Sequence, residues 1–181
     1  MNIFQNRYSV RKYDSRAVER EKIDEMIQAA HIAPSSCNSQ PWRYIVVDEP
    51  NLLEELKQKG LGILVPNHWA KSAPCMIAAC CDEKMYVHKL AAFFKDVDYA
   101  LLDMGASIEN MLLKAADLGL GTCWIGWFNE KNIKKLFNIP KGIKVVSLIT
   151  LGYPHPDLEI RHPEKLPISQ ILAFNSWIKK E

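Results

Sequence analysis

Apolar positions recur along the chain at two spacings, which predict alternating helices and strands. Helical spacing of apolar residues predicts a helix at about 19–33. Local start and stop signals predict further helices at 52–59 before Gly60, at 129–138 with Asn129 as its cap, and at 168–178 after Pro167. Short runs rich in apolar, β-branched or aromatic residues predict strands at 42–47, 74–81, 122–128 and 144–151. The first eighteen residues look basic and irregular. Because a helix separates most consecutive strands, the order indicates a three-layer α/β/α or α+β domain.

The strongest periodic signal predicts one long helix between about residues 89 and 118. Its apolar positions alternate steps of four and three residues: Val97, Leu101, Met104, Ile108, Met111, Ala115 and Leu118. Three further leucines (102, 112 and 113) widen the apolar stripe, so the helix has more than one apolar face. Such a helix is either central to the core or buried partly against a second subunit.

Composition excludes several function classes. The 181 residues suffice for one domain spanning 1–181. The formal charge of +2 is too small for binding nucleic acid or membranes by bulk electrostatics, so any anion site must be local. The longest apolar run, 73–81, is far shorter than the ~20 residues that span a bilayer. The N-terminus lacks an apolar signal core, which favours a cytoplasmic protein.

Cysteine usage favours buried, reduced thiols over metal or redox roles. The five cysteines form no Cys-x-x-Cys pair, and four lie in or beside apolar runs. The five histidines have no ligand-like spacing either, so no metal site is expected.

The first polar cluster is Arg-Tyr-Ser-Val-Arg at residues 7–11. Guanidinium groups bind phosphate through forked, charge-assisted hydrogen bonds, and the hydroxyl of Ser9 can add one more. Taken alone, this local pattern favours a solvated basic terminus over a phosphate site.

Two further clusters are candidates for ligand contacts. Residues 34–42, Pro-Ser-Ser-Cys-Asn-Ser-Gln-Pro-Trp, offer hydroxyl and amide groups that suit the edge of a heterocycle, although an ordinary turn has the same composition. Residues 122–127, Thr-Cys-Trp-Ile-Gly-Trp, place Gly126 between tryptophans. This pattern fits either close backbone approach to a ligand or a buried aromatic strand with a bulge.

Other common catalytic patterns are missing from the sequence. No Gly-x-Gly-x-x-Gly follows a predicted strand, no Walker motif occurs, and no serine lies in a Gly-x-Ser-x-Gly elbow. A dinucleotide-binding Rossmann domain, a P-loop nucleotidase and a serine hydrolase are therefore poorly supported.

Taken together and in order, the clusters resemble the nitroreductase family. The resemblance rests on segments 6–13, 33–42, 119–126 and 151–154, with the basic Arg161 after them. It implies an α+β, nitroreductase-like three-layer α/β/α domain with a mixed, mainly antiparallel sheet and a long central helix. It also implies a homodimer with two FMN sites shared between the subunits.

The resemblance assigns cofactor contacts to particular residues. The expected FMN contacts are Arg7, Tyr8, Ser9, Arg11, Pro34, Ser35, Ser36, Asn38, Gln40, Ile125, Gly126 and Arg161. The arginines and Ser9 would approach the phosphate and ring from one subunit, and the 34–40 loop would come from the other. The backbone of Ile125 and Gly126 would lie near flavin N5.

The activity implied by the resemblance is NAD(P)H oxidation in two half-reactions. Hydride passes through flavin N5 to a nitroaromatic, a quinone or a similar small acceptor, so no catalytic side chain is expected. The alternatives are an FMN-binding or sensing protein without turnover, and a related enzyme such as a reductive dehalogenase or a flavin-destroying enzyme. Segments 57–72 and 82–95 would cover the site. Trp69 and Phe93 or Phe94 would either form walls of the pocket or belong to the core.

Overall fold

Five helices and four strands alternate along the described part of the chain. The computed structural model describes residues 2–61, 67–82, 97–160 and 162–177. The elements are α1 (Ile3–Asn6), α2 (Arg20–His31), β1 (Trp42–Val47), α3 (Pro50–Gly60), β2 (Cys75–Asp82), α4 (Tyr99–Asp117), β3 (Gly121–Ile125), α5 (Glu130–Leu136) and β4 (Ile143–Gly152). Within those ranges no helix has both the length and the apolar character needed to cross a membrane.

The helices begin and end at residues with local capping chemistry. The side chain of Asp98 accepts a hydrogen bond from the Leu101 amide at the start of α4. The predicted cap of α5 is confirmed, because Asn129 accepts from the Asn132 amide at 3.0 Å. Gly119, at φ +73°, follows the end of α4 in the left-handed region that glycine tolerates best. The predicted long helix is confirmed over the described residues, whereas 89–96 lie outside them.

The four strands form one sheet in the order β1-β2-β4-β3, with every neighbouring pair antiparallel. The N-terminal segment adds a parallel bridge between Ser9 and Thr122 on β3. The sheet is therefore mixed and mainly antiparallel, as the resemblance implies.

Helices cover both faces of the sheet, which makes three layers. One core cluster joins the sheet to α2 and α4 and includes the fully buried Met26, Ile108 and Ile149. The other joins it to α3 and α5 and includes Leu56 and Leu148. Both clusters draw on alternate residues of β2 and β4, because successive side chains of a strand point to opposite faces.

The predictions for two segments are wrong in detail. The N-terminal segment contains the single-turn helix α1 rather than being irregular throughout. Strand β3 ends at Ile125 instead of residue 128; the chain then turns toward α3, where the Asn129 amide donates to the Gly60 carbonyl.

The predicted helix at 168–178 is also wrong over its described part. Only a 3-10 turn, Ile168–Gln170, forms there, and Asn175 has a positive φ. All residues from 162 to 177 are exposed, so the apolar side chains at 168–177 are not packed into the core that the described residues form. An isolated helix of this length is marginal without such packing.

Candidate functional site

The N-terminal cluster lies along the edge strand β3. The Val10 amide donates to the Thr122 carbonyl at 2.9 Å, and Val10 itself is buried. A Cβ built on Gly121 would lie 2.5 Å from a methyl of Val10, so this close approach requires glycine. Because alternate residues of an extended segment point to opposite sides, Ser9 and Arg11 face away from the core.

Tyr13 fixes the far end of this segment. Its buried hydroxyl lies 2.8 Å from the Val10 carbonyl oxygen and 2.6 Å from Thr150 Oγ1. Burial is the main cause that raises the pKa of Tyr13, so the phenol stays protonated. The segment carrying the arginines is therefore held by core contacts at both Val10 and Tyr13.

A groove of about 1140 Å³ opens beside this segment. It is lined by Phe4, Gln5, Arg7, Tyr8, Ser9, Arg11, His162, Pro163 and Lys165. Two guanidinium groups, a hydroxyl and an ammonium group make a donor set that suits a phosphate, and the volume is ample for a nucleotide-sized ligand. The residues present thus fit the phosphate end of FMN.

Both arginines have partners that orient them. Arg7 Nε lies 3.4 Å from Glu109 Oε1 on α4, which leaves its two terminal nitrogens for another anion. The Arg11 guanidinium stacks over the Trp69 ring, 5.6 Å from its centroid. Trp69 also packs against the core and is not among the residues that line the groove.

The thiol of Cys123 lies beneath these cations and is unreactive in character. Burial raises its pKa, and the smaller opposing effects come from Arg11, Ser9 and Arg7. Burial likewise raises the pKa of Cys75 to about 12 and that of Cys80 to about 11. None of the five cysteines, all of which lie in the described ranges, forms a disulfide bond. No group of three His, Cys, Asp or Glu side chains within the described ranges could hold a metal ion.

The polar loop that follows α2, residues 34–40, has an unusual backbone. Its centre is the 3-10 turn Ser36–Asn38, and Cys37, Asn38 and Gln40 all have positive φ. The Gln40 amide donates to Ser35 Oγ at 3.0 Å, which closes the loop on itself. The loop therefore has a defined conformation, held by an internal hydrogen bond, that differs from an ordinary turn.

The third cluster sits where β3 ends. Ile125 is buried, whereas Gly126 is exposed and a Cβ built there would meet nothing within 4 Å. Trp127 is 74% exposed, and Trp124 is also exposed. The backbone at Gly126 is therefore open to a flat ligand, and exposed tryptophans lie on either side of it in sequence.

The structure joins the first and third clusters within one chain but not the second. Ser9 pairs with Thr122, three residues before Ile125. The groove that contains Arg7 and Arg11 is lined by no residue of the 34–40 loop. Arg161 lies outside the described residues, as do Phe93, Phe94 and most of segment 82–95.

Sequence reasoning missed four residues that shape this site. Lys165 and His162 line the groove, Glu109 holds Arg7, and Asp103 holds the polar loop. Each of these contacts joins residues far apart in sequence, so no local pattern could reveal them. The one signal in the sequence was the presence of two acidic residues, Asp103 and Glu109, within a largely apolar stretch of the long helix.

Comparison with known proteins identifies the family. The nitroreductase family model matches residues 4–153. The chain is 33% identical over 159 residues to an Archaeoglobus fulgidus protein named provisionally as an NADH dehydrogenase/NAD(P)H nitroreductase, a match that covers 85% of this chain and 84% of the relative. It is 28% identical over 185 residues to the FMN reductase (NAD(P)H) of Bacillus subtilis, covering 96% of this chain and 72% of that protein.

Among solved structures, an FMN-dependent nitroreductase from Clostridium difficile superposes with a TM-score of 0.78 at 28% identity. That match covers 97% of this chain and 98% of the other. The chain belongs to the nitroreductase family.

Proposed function

We propose that this protein is an FMN-dependent NAD(P)H oxidoreductase that passes reducing equivalents to a small acceptor such as a nitroaromatic or a quinone. Its family is one of NAD(P)H-dependent flavin oxidoreductases that use FMN. The observation that carries the proposal is the groove beside β3, where Arg7, Ser9 and Arg11 present phosphate-binding groups on one side of an anchored segment.

The phosphate end of FMN would lie in this groove. Arg7 and Arg11 supply fixed positive charge against a phosphate that carries nearly two negative charges, and Arg161 would join them. Ser9 adds a hydroxyl, and Tyr8 lines the groove with its ring edge-on to His162, 5.9 Å between centroids. Lys165 is a further cation in the same lining.

The ring end of FMN would lie between backbone and loop. The open backbone at Ile125 and Gly126 would face the reactive edge of the ring, and Pro34, Ser35, Ser36, Asn38 and Gln40 of a second copy would contact its other edge. When bound, the flavin supplies the hydride and electron transfer. The chain's own residues hold the phosphate, orient the ring and leave one face open for reduced nicotinamide and acceptor in turn.

The proposed assembly is a homodimer with shared sites. Helix α4 exposes Leu101 and Leu102, the latter 60% exposed, and Leu113 on the same helix is half-buried. The C-terminal segment exposes Ile168, Ile171, Leu172, Phe174 and Trp177. Apolar surface of this extent is typical of a face that a second subunit covers. Sedimentation is expected to give a dimer, and a monomer that carries FMN would contradict the shared site.

We expect the protein in the cytoplasm. Its thiols are unpaired with one another, as is usual in a reducing compartment, and NAD(P)H is its proposed electron donor.

Anaerobic reduction tests the function directly. The purified protein, reconstituted with FMN, is expected to show bound-flavin absorbance that NADH or NADPH bleaches and that a nitroaromatic or quinone restores. Protein that binds FMN but is bleached by neither nucleotide would indicate a binding or sensing role instead. Protein that does not take up FMN would refute the proposal.

A further inference from the structure

The carboxylate of Asp103 fastens the polar loop to helix α4. The Ser36 amide lies 3.0 Å from both Asp103 oxygens, and the Ser39 hydroxyl lies 3.2 Å from Oδ2. Asp103 is only 8% exposed and lies in the second turn of α4, where it does not cap the helix. A buried carboxylate is costly unless hydrogen bonds satisfy it, and here the loop supplies them.

The loop needs such an anchor because its backbone is disfavoured. Cys37, Asn38 and Gln40 all lie in the left-handed region with φ between 47° and 54°. Residues other than glycine persist there only when the surrounding structure fixes them. The bonds to Asp103 flank this stretch, at Ser36 before it and Ser39 within it.

We propose that Asp103 is a positioning residue for the cofactor: it holds the 35–40 loop in the conformation that contacts the flavin edge. This inference rests on the proposed function. Neither Asp103 nor Ser39 is among the proposed FMN contacts, so an effect of either on FMN binding must pass through the loop. The anchor also means that the loop is shaped before FMN binds, which lowers the ordering cost of binding.

The test measures FMN affinity of the refolded or FMN-stripped full-length protein by calorimetry, beside its melting temperature. Asp103→Ala is expected to weaken FMN binding about tenfold or more, because bonds to a charged group each contribute about that factor. Asp103→Asn keeps one acceptor for the Ser36 amide and is expected to rescue part of the loss. Ser39→Ala removes one donor and is expected to cost about threefold to tenfold.

Two comparisons separate positioning from general stability. Asp117→Asn, on the last turn of the same helix, removes an exposed carboxylate paired with Lys114 and is expected to leave FMN affinity unchanged. Ser39→Ala is expected to have no further effect on FMN affinity in the Asp103→Ala background, since both act through one contact.

Unchanged FMN affinity in folded Asp103→Ala and Ser39→Ala proteins would overturn the inference. If Asp103→Ala does not fold, unchanged affinity in both Asp103→Asn and Ser39→Ala has the same meaning. Wild-type protein with no affinity for FMN would overturn the proposed function and this inference together, so the two failures are distinguishable.

Discussion

Arg7 offers the sharpest test of the phosphate site. Its side chain is 29% exposed and lines the groove, and Nε lies 3.4 Å from Glu109 Oε1, so the ion pair restricts the guanidinium group. Replacement by alanine removes at least one charge-assisted bond to phosphate, which contributes about 1.5–3 kcal/mol. The FMN dissociation constant is therefore expected to rise by about 10- to 150-fold.

The same change is expected to cost little stability. The Arg7–Glu109 pair is partly exposed, and such pairs contribute about 0–1 kcal/mol. The melting temperature of the FMN-free protein is then expected to fall by no more than about 4 °C. A large loss of affinity beside a small loss of stability would indicate a ligand contact rather than a structural role.

Calorimetric titration of FMN into the FMN-free protein measures the effect. The matched control is Arg20→Ala, because Arg20 also forms an ion pair, 2.7 Å from Asp48, but is 73% exposed and lies outside the groove. That variant is expected to bind FMN like the wild type. Folded Arg7→Ala protein whose FMN affinity stays within twofold of the wild type would refute the placement of the phosphate.

Three further predictions concern the framework of the site. Tyr13→Phe is expected to destabilise the fold by about 1–3 kcal/mol in urea unfolding, because its buried hydroxyl contacts a carbonyl and a threonine hydroxyl; no loss would show that the segment needs no such anchor. Ser107→Ala is expected to cost about 1–3 kcal/mol, since its hydroxyl contacts the Ala30 carbonyl and a tyrosine hydroxyl. The matched Ser147→Ala is expected to be neutral or stabilising, because that buried hydroxyl has no hydrogen-bond partner among the described residues. Equal losses of stability in the two serine variants would show that the hydrogen bonds of Ser107 do not stabilise the fold. A hydrogen bond from Tyr153 is the main cause that lowers the pKa of Glu19 to about 2 from its ordinary 4.5. The folded state therefore gains stability from this carboxylate above about pH 4.5 and loses it as the pH falls toward 2, so Glu19→Gln is expected to flatten the acid side of a melting-temperature profile.

The elements that sequence predicted well are those with local signals. The β1 strand has the predicted bounds, because its apolar and β-branched run is bounded by Pro41 and by Asp48. Helix α5 begins after the Asn129 cap as predicted. In each case the information lies within a few residues of the element, and the tertiary structure does not override it.

Elements that depend on distant contacts could not be predicted in the same way. The course of residues 7–13 depends on Val10 fitting against Gly121, more than a hundred positions away. The helix predicted at 168–178 also needs a surface to receive its apolar residues, and the described part of the chain provides none for 168–177. The Arg-x-Ser-x-Arg pattern could be assigned a function only through the resemblance, because the segment pairs with β3, which is distant from it in sequence.

Helix α4 gives a physical reason for the proposed division of the site between two copies. It holds Arg7 through Glu109 and the polar loop through Asp103, six residues earlier. Six residues correspond to a rise of about 9 Å and a rotation of about 240° around the helix axis, so the two clusters leave the helix on different sides. Leu102, beside Asp103, remains uncovered. A second copy packed on this helix would bury that leucine and bring its own loop toward the groove. The same contact would then cover the apolar face and complete the cofactor site. FMN binding would therefore stabilise the dimer by mass action.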